Sequence, residues 1–167
     1  MACWPHACGV PPRAFRRAPV RTLDAEIYAE YVARYGEGDA TTLGVADFLP
    51  PNGAFFVGYA DGEPVACGGW RTHDVDAEMK RVYVASSVRG LGLAKRIVGL
   101  LEEDARGAGK RRMILESGTG QPEALALYAA LGYGAVTPFG HYAGYPNARH
   151  LGKDLLPDHA GELSSAE

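Results

Sequence analysis

Apolar residues recur at two different spacings along the chain, and the spacing predicts which segments are helices and which are strands. Over residues 22–35 they recur every four positions, which predicts an amphipathic helix capped by Thr22 or Asp24. The apolar positions of this helix are Leu23, Ile27, Tyr31 and Tyr35. A short strand is expected over residues 15–20, and a single helical turn at Val45–Phe48 in the turn-rich segment that follows.

Shorter segments with strand-like patterns occupy the middle of the chain. Residues 54–60 and 64–71 are separated by Asp61-Gly62, a dipeptide typical of two-residue β-hairpins. Polar and apolar residues alternate over residues 77–85, which predicts a third antiparallel strand. Strict alternation places one set of side chains on one face of this strand, namely Met79, Arg81 and Tyr83. The opposite face then carries Glu78, Lys80, Val82 and Val84.

The second half of the chain alternates between helix and strand. Apolar residues at helical spacing over residues 93–106 predict a helix that Gly107 and Gly109 end. A buried strand at 112–117, a helix from Pro122 that Gly132 stops, and two short strands near 135–137 and 149–155 complete the order. This order predicts one α/β domain with a mixed sheet over residues 15–156, flanked by flexible tails at 1–14 and 157–167.

Composition narrows the function classes. The 167 residues carry a formal net charge of −3 and no long run of Lys or Arg, which disfavours nucleic acid and anionic membranes as partners. No apolar run approaches the roughly 18 residues needed to cross a bilayer, and the N-terminus lacks the apolar core of a secretory signal. The cysteines number three, and Cys67 is expected to be a buried thiol, so we predict a reduced, cytoplasmic protein. Cys3, His6 and Cys8 have no second ligand pair downstream, so no metal site is predicted.

The hexapeptide RGLGLA, residues 89–94, joins a strand to an amphipathic helix and contains two glycines. Bare backbone amides at such a turn predict an anion site, most often for phosphate. A P-loop is excluded because the chain has no Gly-Lys-Ser or Gly-Lys-Thr triplet. A dinucleotide site stays open, because Glu116 ends the next strand, roughly 20 residues on, where a ribose-binding carboxylate would lie. The hairpin and the charged alternation before the turn argue against it, since a central parallel strand should be apolar on both faces.

Residues 78–133 as a block closely resemble the GNAT superfamily of N-acetyltransferases. The hexapeptide matches the family's diphosphate-binding turn, Q/R-x-x-G-x-G/A, and its neighbours match the flanking elements. These neighbours are the strand AEMKRVYVA, the helix LAKRIVGLLEEDAR, the strand RMILES and the helix ending in LYAALGY. The resemblance covers about residues 20–156, with departures at Ser86 and Gln121, where many members have proline and asparagine. It implies a mixed, mostly antiparallel central sheet with splayed fourth and fifth strands and helices on both faces.

The resemblance also implies how acetyl-CoA binds. Backbone amides of the turn hold the diphosphate, and glycine lets its oxygens approach closely. The fourth strand pairs with the pantetheine arm, and the Val82 N–H polarises the thioester carbonyl. Gln121 keeps the amide chemistry of the family's asparagine. The cofactor-binding residues implied in this way are Val82, Tyr83, Val84, Arg89, Gly90, Leu91, Gly92, Leu93, Ala94, Lys95, Gln121 and Tyr128.

Acetyl transfer to an amine by direct attack in a ternary complex follows from the same resemblance. Tyr128 matches the family's usual proton donor for the departing thiolate. Glu78 and Glu116 are two candidates for the base, and water is a third. Both carboxylates, together with Asp74 and Asp76, are expected near the reacting centre. This charge favours a cationic amine among small-molecule or peptide acceptors.

Three further points stay open at this stage. The segment FGHYAGY, residues 139–145, suits either a wall of the acceptor pocket or an inert loop. A catalytically silent acyl-CoA-binding or sensor module is the alternative function. A homodimer is compatible with the sequence.

Overall fold

The computed structural model describes residues 15–19, 21–41 and 43–155. The predicted tails, with Cys3, His6 and Cys8, lie outside the described residues. The helices are α1 (Asp24–Tyr35), α2 (Leu93–Gly107) and α3 (Pro122–Ala130), and short 3₁₀ turns lie at Val45–Phe48 and Ser86–Val88. The strands are β1 (Phe15–Arg17), β2 (Gly53–Ala60), β3 (Glu63–His73), β4 (Asp76–Val84), β5 (Arg112–Gly118), β6 (Gly134–Ala135) and β7 (Ala148–Asp154). The predicted elements are present, with their ends moved by a few residues.

The strands of the described residues form one sheet in the order β1-β2-β3-β4-β5-β7-β6. Neighbouring strands are antiparallel except β4 and β5, which run parallel because α2 crosses over between them. The β2–β3 hairpin turns at Asp61 and Gly62, which both have positive φ, as a type I′ turn requires. The mixed, mostly antiparallel sheet predicted from the resemblance is confirmed.

Each face of the sheet has its own apolar core, so the helices lie on both faces as predicted. On one face, α1 packs through Ile27 against a cluster that contains Phe55 and Cys67. On the other, α2 and α3 pack through Ile97 and Tyr128. Burial raises the pKa of Cys67 to about 12, which confirms the predicted buried thiol. In the part of the chain that the structure describes, no helix is long and apolar enough to cross a membrane.

A β-bulge in β4 changes which side chains share a face. Pairing with β3 shifts by one residue in the middle of the strand, where Arg81 and Val82 together lie opposite a single β3 residue. Arg81 has a φ of 60° at this bulge. Beyond it, Val82 and Val84 pack in the α2 core together with Met79, whereas Tyr83 packs on the α1 side. Arg81 itself lies on the α1 side, near Asp24, so the strict alternation predicted for this strand is wrong from Arg81 onwards.

Helix α1 begins without the side-chain cap predicted for it. Leu23, in the left-handed conformation, precedes Asp24, and no side chain bonds to the first amides. The Thr22 hydroxyl instead donates to the Pro19 carbonyl oxygen at 2.9 Å. The capping prediction is wrong because Leu23 is buried in the core, so packing fixes where the helix begins. Asp24 lies in the first turn, where its charge complements the helix dipole.

Strands β4 and β5 part soon after they begin, which confirms the predicted splay. Their pairing is limited to the start of β4 and ends with Glu78 opposite Ile114. The Ala85 N–H, just past β4, bonds to the Val65 carbonyl in β3 at 2.8 Å. Since successive amides of an extended chain point in opposite directions, the Val84 N–H is directed away from β3. The unpaired edge of β4 therefore faces an open gap.

Candidate active site

The gap between β4 and β5 opens into a cleft of about 500 Å³. From β4, the predicted site residues that line it are Val82, Tyr83 and Val84. From the turn and the first turn of α2, they are Arg89, Gly90, Gly92, Leu93, Ala94 and Lys95. Glu116, Gln121 and Tyr128 complete the set. Two predicted residues lie elsewhere: Glu78, and Leu91, whose side chain is 45% exposed.

The glycine turn leaves open space in front of α2. Gly90 and Gly92 have φ of 78° and 76°, in the left-handed region. A Cβ added at either position would meet no other atom within 4 Å. Packing does not demand glycine here, but the backbone conformation does. Gly92 precedes the first residue of α2 and offers no side-chain cap, so the first amides of the helix form a site suited to an anion.

Arg89 ties this turn to its surroundings. Its Nε donates to the Val84 carbonyl oxygen at 2.9 Å, and its guanidinium is paired with Glu30 of α1. The guanidinium carbon lies 5.9 Å from the centre of the Tyr83 ring. These contacts hold the turn beside the end of β4 and keep a positive charge next to the anion site.

Glu78 is engaged in ion pairs on the face of the sheet that α1 covers. It is 3% exposed, and its carboxylate accepts from Arg71 Nε and from Lys80 Nζ, each at 2.9 Å. Burial by itself would raise the pKa of Glu78, but the charges and hydrogen bonds of Lys80 and Arg71 outweigh it and hold the pKa below its ordinary value. This arrangement favours a role in joining β3 to β4 over a role as proton acceptor.

The pKa of Glu116 is shifted in the opposite direction from that of Glu78. Burial raises the pKa of its carboxyl; Lys80 opposes this shift, and the charges of Asp39 and Glu78 add to it. Among the described residues, none donates a hydrogen bond to this carboxylate. A carboxylate that borders a cleft and binds its proton more readily than usual is suited to general-base chemistry.

Tyr128 is a buried residue in the lining of the cleft. The residue is 7% exposed, and its ring packs edge-on against Tyr133, with the ring centres 5.6 Å apart. Burial raises the pKa of the Tyr128 hydroxyl above its ordinary value. The group therefore keeps its proton at neutral pH, as a donor to a leaving group must.

The predicted cluster of four acidic residues does not form. Asp74 lies in the β3–β4 turn with its side chain 90% exposed, and Arg112 binds both carboxylate oxygens of Asp76. Neither residue lines the cleft, and neither does Glu78. The prediction is wrong for these residues because water hydrates the Asp74 carboxylate, whereas cationic side chains pair with those of Asp76 and Glu78. No group of three or more His, Cys, Asp or Glu is placed to hold a metal ion in residues 15–19, 21–41 and 43–155.

A second cavity, of about 160 Å³, adjoins the cleft. The two share a common wall, which consists of Tyr31, Glu116, Ser117 and Gln121. On the far side the second cavity is lined by Tyr142 and Tyr145, from the FGHYAGY segment. The position of these two rings favours the pocket-wall interpretation of that segment over the inert loop.

Several residues of the site carry no clear signal in the sequence. Tyr31 belongs to the apolar stripe of α1, and only its hydroxyl distinguishes it from the packing residues of that stripe. In the sequence, Glu30 is indistinguishable from an ordinary charged residue on a helix surface. In the structure, it is paired with Arg89. Asp39 lies in a turn-rich segment, and the spacing of apolar residues does not predict the backbone path of that segment. Contacts between segments distant in the chain, and not local spacing, bring these residues to the site.

Comparisons with known proteins agree with this geometry. A family model of the GNAT acetyltransferases matches residues 20–133. An IAA acetyltransferase of Azospirillum brasilense is 33% identical over 115 residues, which are 68% of this chain and 75% of that protein. A Klebsiella pneumoniae structure assigned as an acyl-CoA N-acyltransferase superposes with a TM-score of 0.69 and 27% identity, over 87% of this chain and all of the other.

The fold also occurs in a structure that contains the cofactor. YncA of Salmonella typhimurium, solved with acetyl-CoA, has a TM-score of 0.62 and 17% identity, over 90% of this chain and 98% of YncA. The match of the family model spans the strands, the glycine turn and the tyrosine helix that surround the cleft. The chain belongs to the GNAT family of acetyl-CoA-dependent N-acetyltransferases.

Proposed function

We propose that this enzyme transfers the acetyl group of acetyl-CoA to a primary amine of a small molecule or peptide, by direct attack in a ternary complex. The observation that carries the proposal is the shared cleft. One space is lined by a turn suited to an anion, an unpaired strand edge, a carboxylate with a raised pKa and a tyrosine whose pKa burial also raises. Each of these groups has a role in acyl transfer from a CoA thioester to an amine.

The chain offers acetyl-CoA a diphosphate site and a strand edge. The open space above Gly90 and Gly92 fits phosphate oxygens, and the amides at the start of α2 would bind them. The free edge of β4 at Val82 and Val84 would pair with the pantetheine amides, and Gln121 would supply a side-chain contact. Bound acetyl-CoA supplies a thioester, which is an acyl group already activated for attack by nitrogen.

Two side chains of the cleft would handle the protons. Glu116 takes the proton that the acceptor nitrogen gives up, directly or through water, as the nitrogen bonds to the acetyl carbon. The carbon–sulfur bond breaks in the same transfer, and the Tyr128 hydroxyl gives its proton to the departing thiolate. The Val82 N–H, next to the bulge, would bind the carbonyl oxygen as negative charge develops there. Cytoplasmic location and a homodimer stay predictions from the sequence.

Acetyl-CoA is expected to raise the melting temperature, and NADH is expected to leave it unchanged. A ligand present at about 100 times its Kd stabilises the folded state by about 2.7 kcal/mol, which is about 5–10 °C for a chain of this size. Thermal unfolding with each ligand in turn measures the difference. A shift with NADH and none with acetyl-CoA would favour the dinucleotide interpretation of the turn. Binding of acetyl-CoA with no thiol release over a broad amine panel would favour the silent module.

Glu116→Gln is expected to lower kcat by about 100-fold. We expect an effect at the low end of the range for the loss of a general base, because water in the cleft can still take the proton. In the wild type, activity should fall as the pH drops through the raised pKa of Glu116, since only the ionised form accepts a proton. The Gln variant should lack this acidic limb in kcat/KM. A profile of kcat/KM from about pH 5 to about pH 9, sampled about every half pH unit, would measure the difference.

Glu78→Gln serves as the matched control for this experiment. Because the pKa of Glu78 is lowered by its cationic partners, the native state is stabilised by ionised Glu78 at neutral pH and loses that stabilisation as the pH falls. The Gln variant should therefore melt at a lower temperature but keep the acidic limb. Glu116→Gln should not melt earlier, since ionising a group with a raised pKa costs stability. A lost acidic limb in Glu78→Gln alone would assign the base to Glu78.

A further inference from the structure

The second cavity lies directly behind the proposed base. Glu116 borders both spaces, so an acceptor whose amine is next to Glu116 extends into this cavity. Glu37 and Asp39 add two further carboxylates to its lining. Among the described residues, no Lys, Arg or His lines it. Lys80, whose charge acts on Glu116, is itself paired with Glu78 at 2.9 Å.

Asp39 is held in place with half of its carboxylate unused. Its Oδ1 accepts from the Thr41 N–H at 2.8 Å and from the Tyr142 hydroxyl at 3.1 Å. The Tyr142 hydroxyl in turn accepts from the Ala40 N–H at 2.9 Å. No hydrogen bond from residues 15–19, 21–41 or 43–155 reaches Asp39 Oδ2. The loop is therefore ordered around a carboxylate oxygen that is left for another donor.

The rest of the lining suits a cation. Four tyrosines also line the cavity, and the face of a tyrosine ring attracts an ammonium group. They are Tyr31, Tyr35, Tyr142 and Tyr145. The Tyr35 hydroxyl is buried against Gly118 and has no hydrogen-bond partner among the described residues. Buried polar groups of this kind normally have a partner, so this hydroxyl is an exception in the cavity wall.

The reacting nitrogen alone cannot account for this charge. It must be neutral when it attacks, and its proton goes to Glu116. Asp39 and Glu37 add two more carboxylates to the same small space, and a second positive charge would pair with them. We infer, on the basis of the proposed function, that the acceptor is a diamine or polyamine. Asp39 and Glu37 bind its second ammonium group while its first amine is acetylated.

A series of amines with one variable end group tests this inference. The probes are n-butylamine, 1,4-diaminobutane and 4-aminobutanoate, which present a methyl group, an ammonium and a carboxylate at the far end. One charge-assisted hydrogen bond predicts that kcat/KM for the diamine exceeds that for the monoamine by about 10- to 100-fold. The anionic amine should be the poorest of the three, because the carboxylates repel it. Diamines from 1,2-diaminoethane to 1,6-diaminohexane should show an optimum length.

Removing a carboxylate charge from the second cavity should abolish the preference for diamines over monoamines. In Asp39→Asn the ratio of kcat/KM between diamine and monoamine should fall towards one, because the amide keeps an acceptor oxygen for Thr41 but has lost the charge. Glu37→Gln, an exposed position at the same cavity, is the second variant should the Asn variant fail to fold. Glu103→Gln removes one charge from the exposed side of α2 and should keep the wild-type ratio.

The outcomes separate this inference from the function on which it rests. A diamine preference that disappears in the cavity variants supports it. Equal use of monoamines and diamines at every length, or a ratio unchanged in both cavity variants, overturns the inference and leaves acetyl transfer intact. No thiol release from acetyl-CoA with any amine overturns the proposed function, and the inference with it.

Discussion

Replacing Gly92 by aspartate is expected to abolish CoA binding while the protein stays folded. The new carboxylate would occupy the open space in front of α2, where the phosphates are proposed to bind. Two unit charges about 4 Å apart repel by about 4 kcal/mol at an effective dielectric constant of 20, which lowers affinity about 1000-fold. Calorimetric titration with CoA measures the loss. Folding should survive, because the added Cβ meets no other atom within 4 Å and an acidic group suits a helix N-terminus.

Two control variants separate charge from backbone strain. Gly92→Asn adds the same bulk and the same left-handed strain without the charge, so it should bind CoA much better than the aspartate variant. Gly109→Asp repeats the substitution at a glycine with a φ of 83° and no neighbour within 4 Å, beyond the far end of α2. It should bind CoA normally. Wild-type affinity in a folded Gly92→Asp protein would show that the phosphates bind elsewhere.

Tyr128→Phe is expected to lower kcat by about 1000-fold, within the range typical of a lost general acid. The ring and its edge-on contact with Tyr133 are retained, so only the hydroxyl and its proton are removed. CoA affinity should change little, since backbone amides would supply most of the binding. Single-turnover measurement of thiol release isolates the chemical step, so that slow product release cannot hide the effect.

Tyr133→Phe provides the matched control in the same core. The Tyr133 hydroxyl donates to Glu102 at 2.9 Å and does not line the cleft. Its removal should cost about 1.5–3 kcal/mol of stability, the usual range for a hydrogen bond to a charged group, and leave kcat near the wild-type value. A single-turnover rate within about threefold of wild type in Tyr128→Phe would exclude Tyr128 as the acid. Water or the neighbouring Tyr31 would then be the donor to test.

The contacts of Arg89 tie the glycine turn to other parts of the cleft. Its guanidinium is held by Glu30 and by the Val84 carbonyl oxygen. Arg34 extends the network, since it pairs with Glu30 and with Glu123 at the start of α3. The walls of the cleft that come from α1, the turn and α3 are thereby linked by charge. Ordering these walls in advance reduces the conformational entropy that binding would otherwise cost.

The sequence by itself determined the element order, the glycine turn and the family. These features depend on residues close together in the chain, such as four-residue apolar spacing in α1, the Asp61-Gly62 hairpin and the two glycines before α2. Local conformational preference and local amphipathicity are enough to specify them. The placement of Gly92 and Tyr128 at one cleft was predicted through the resemblance, because the family repeats this arrangement of elements.

Only the tertiary structure decided how charge is distributed around the cleft. The bulge at Arg81 reverses the facing of Val82 and Val84, which no count of alternating residues can show. Glu78 and Glu116 look alike in the sequence, yet cationic partners lower the pKa of the first, and burial raises the pKa of the second. Burial and charge pairing are set by which distant segments meet, and the sequence pattern describes only neighbours along the chain.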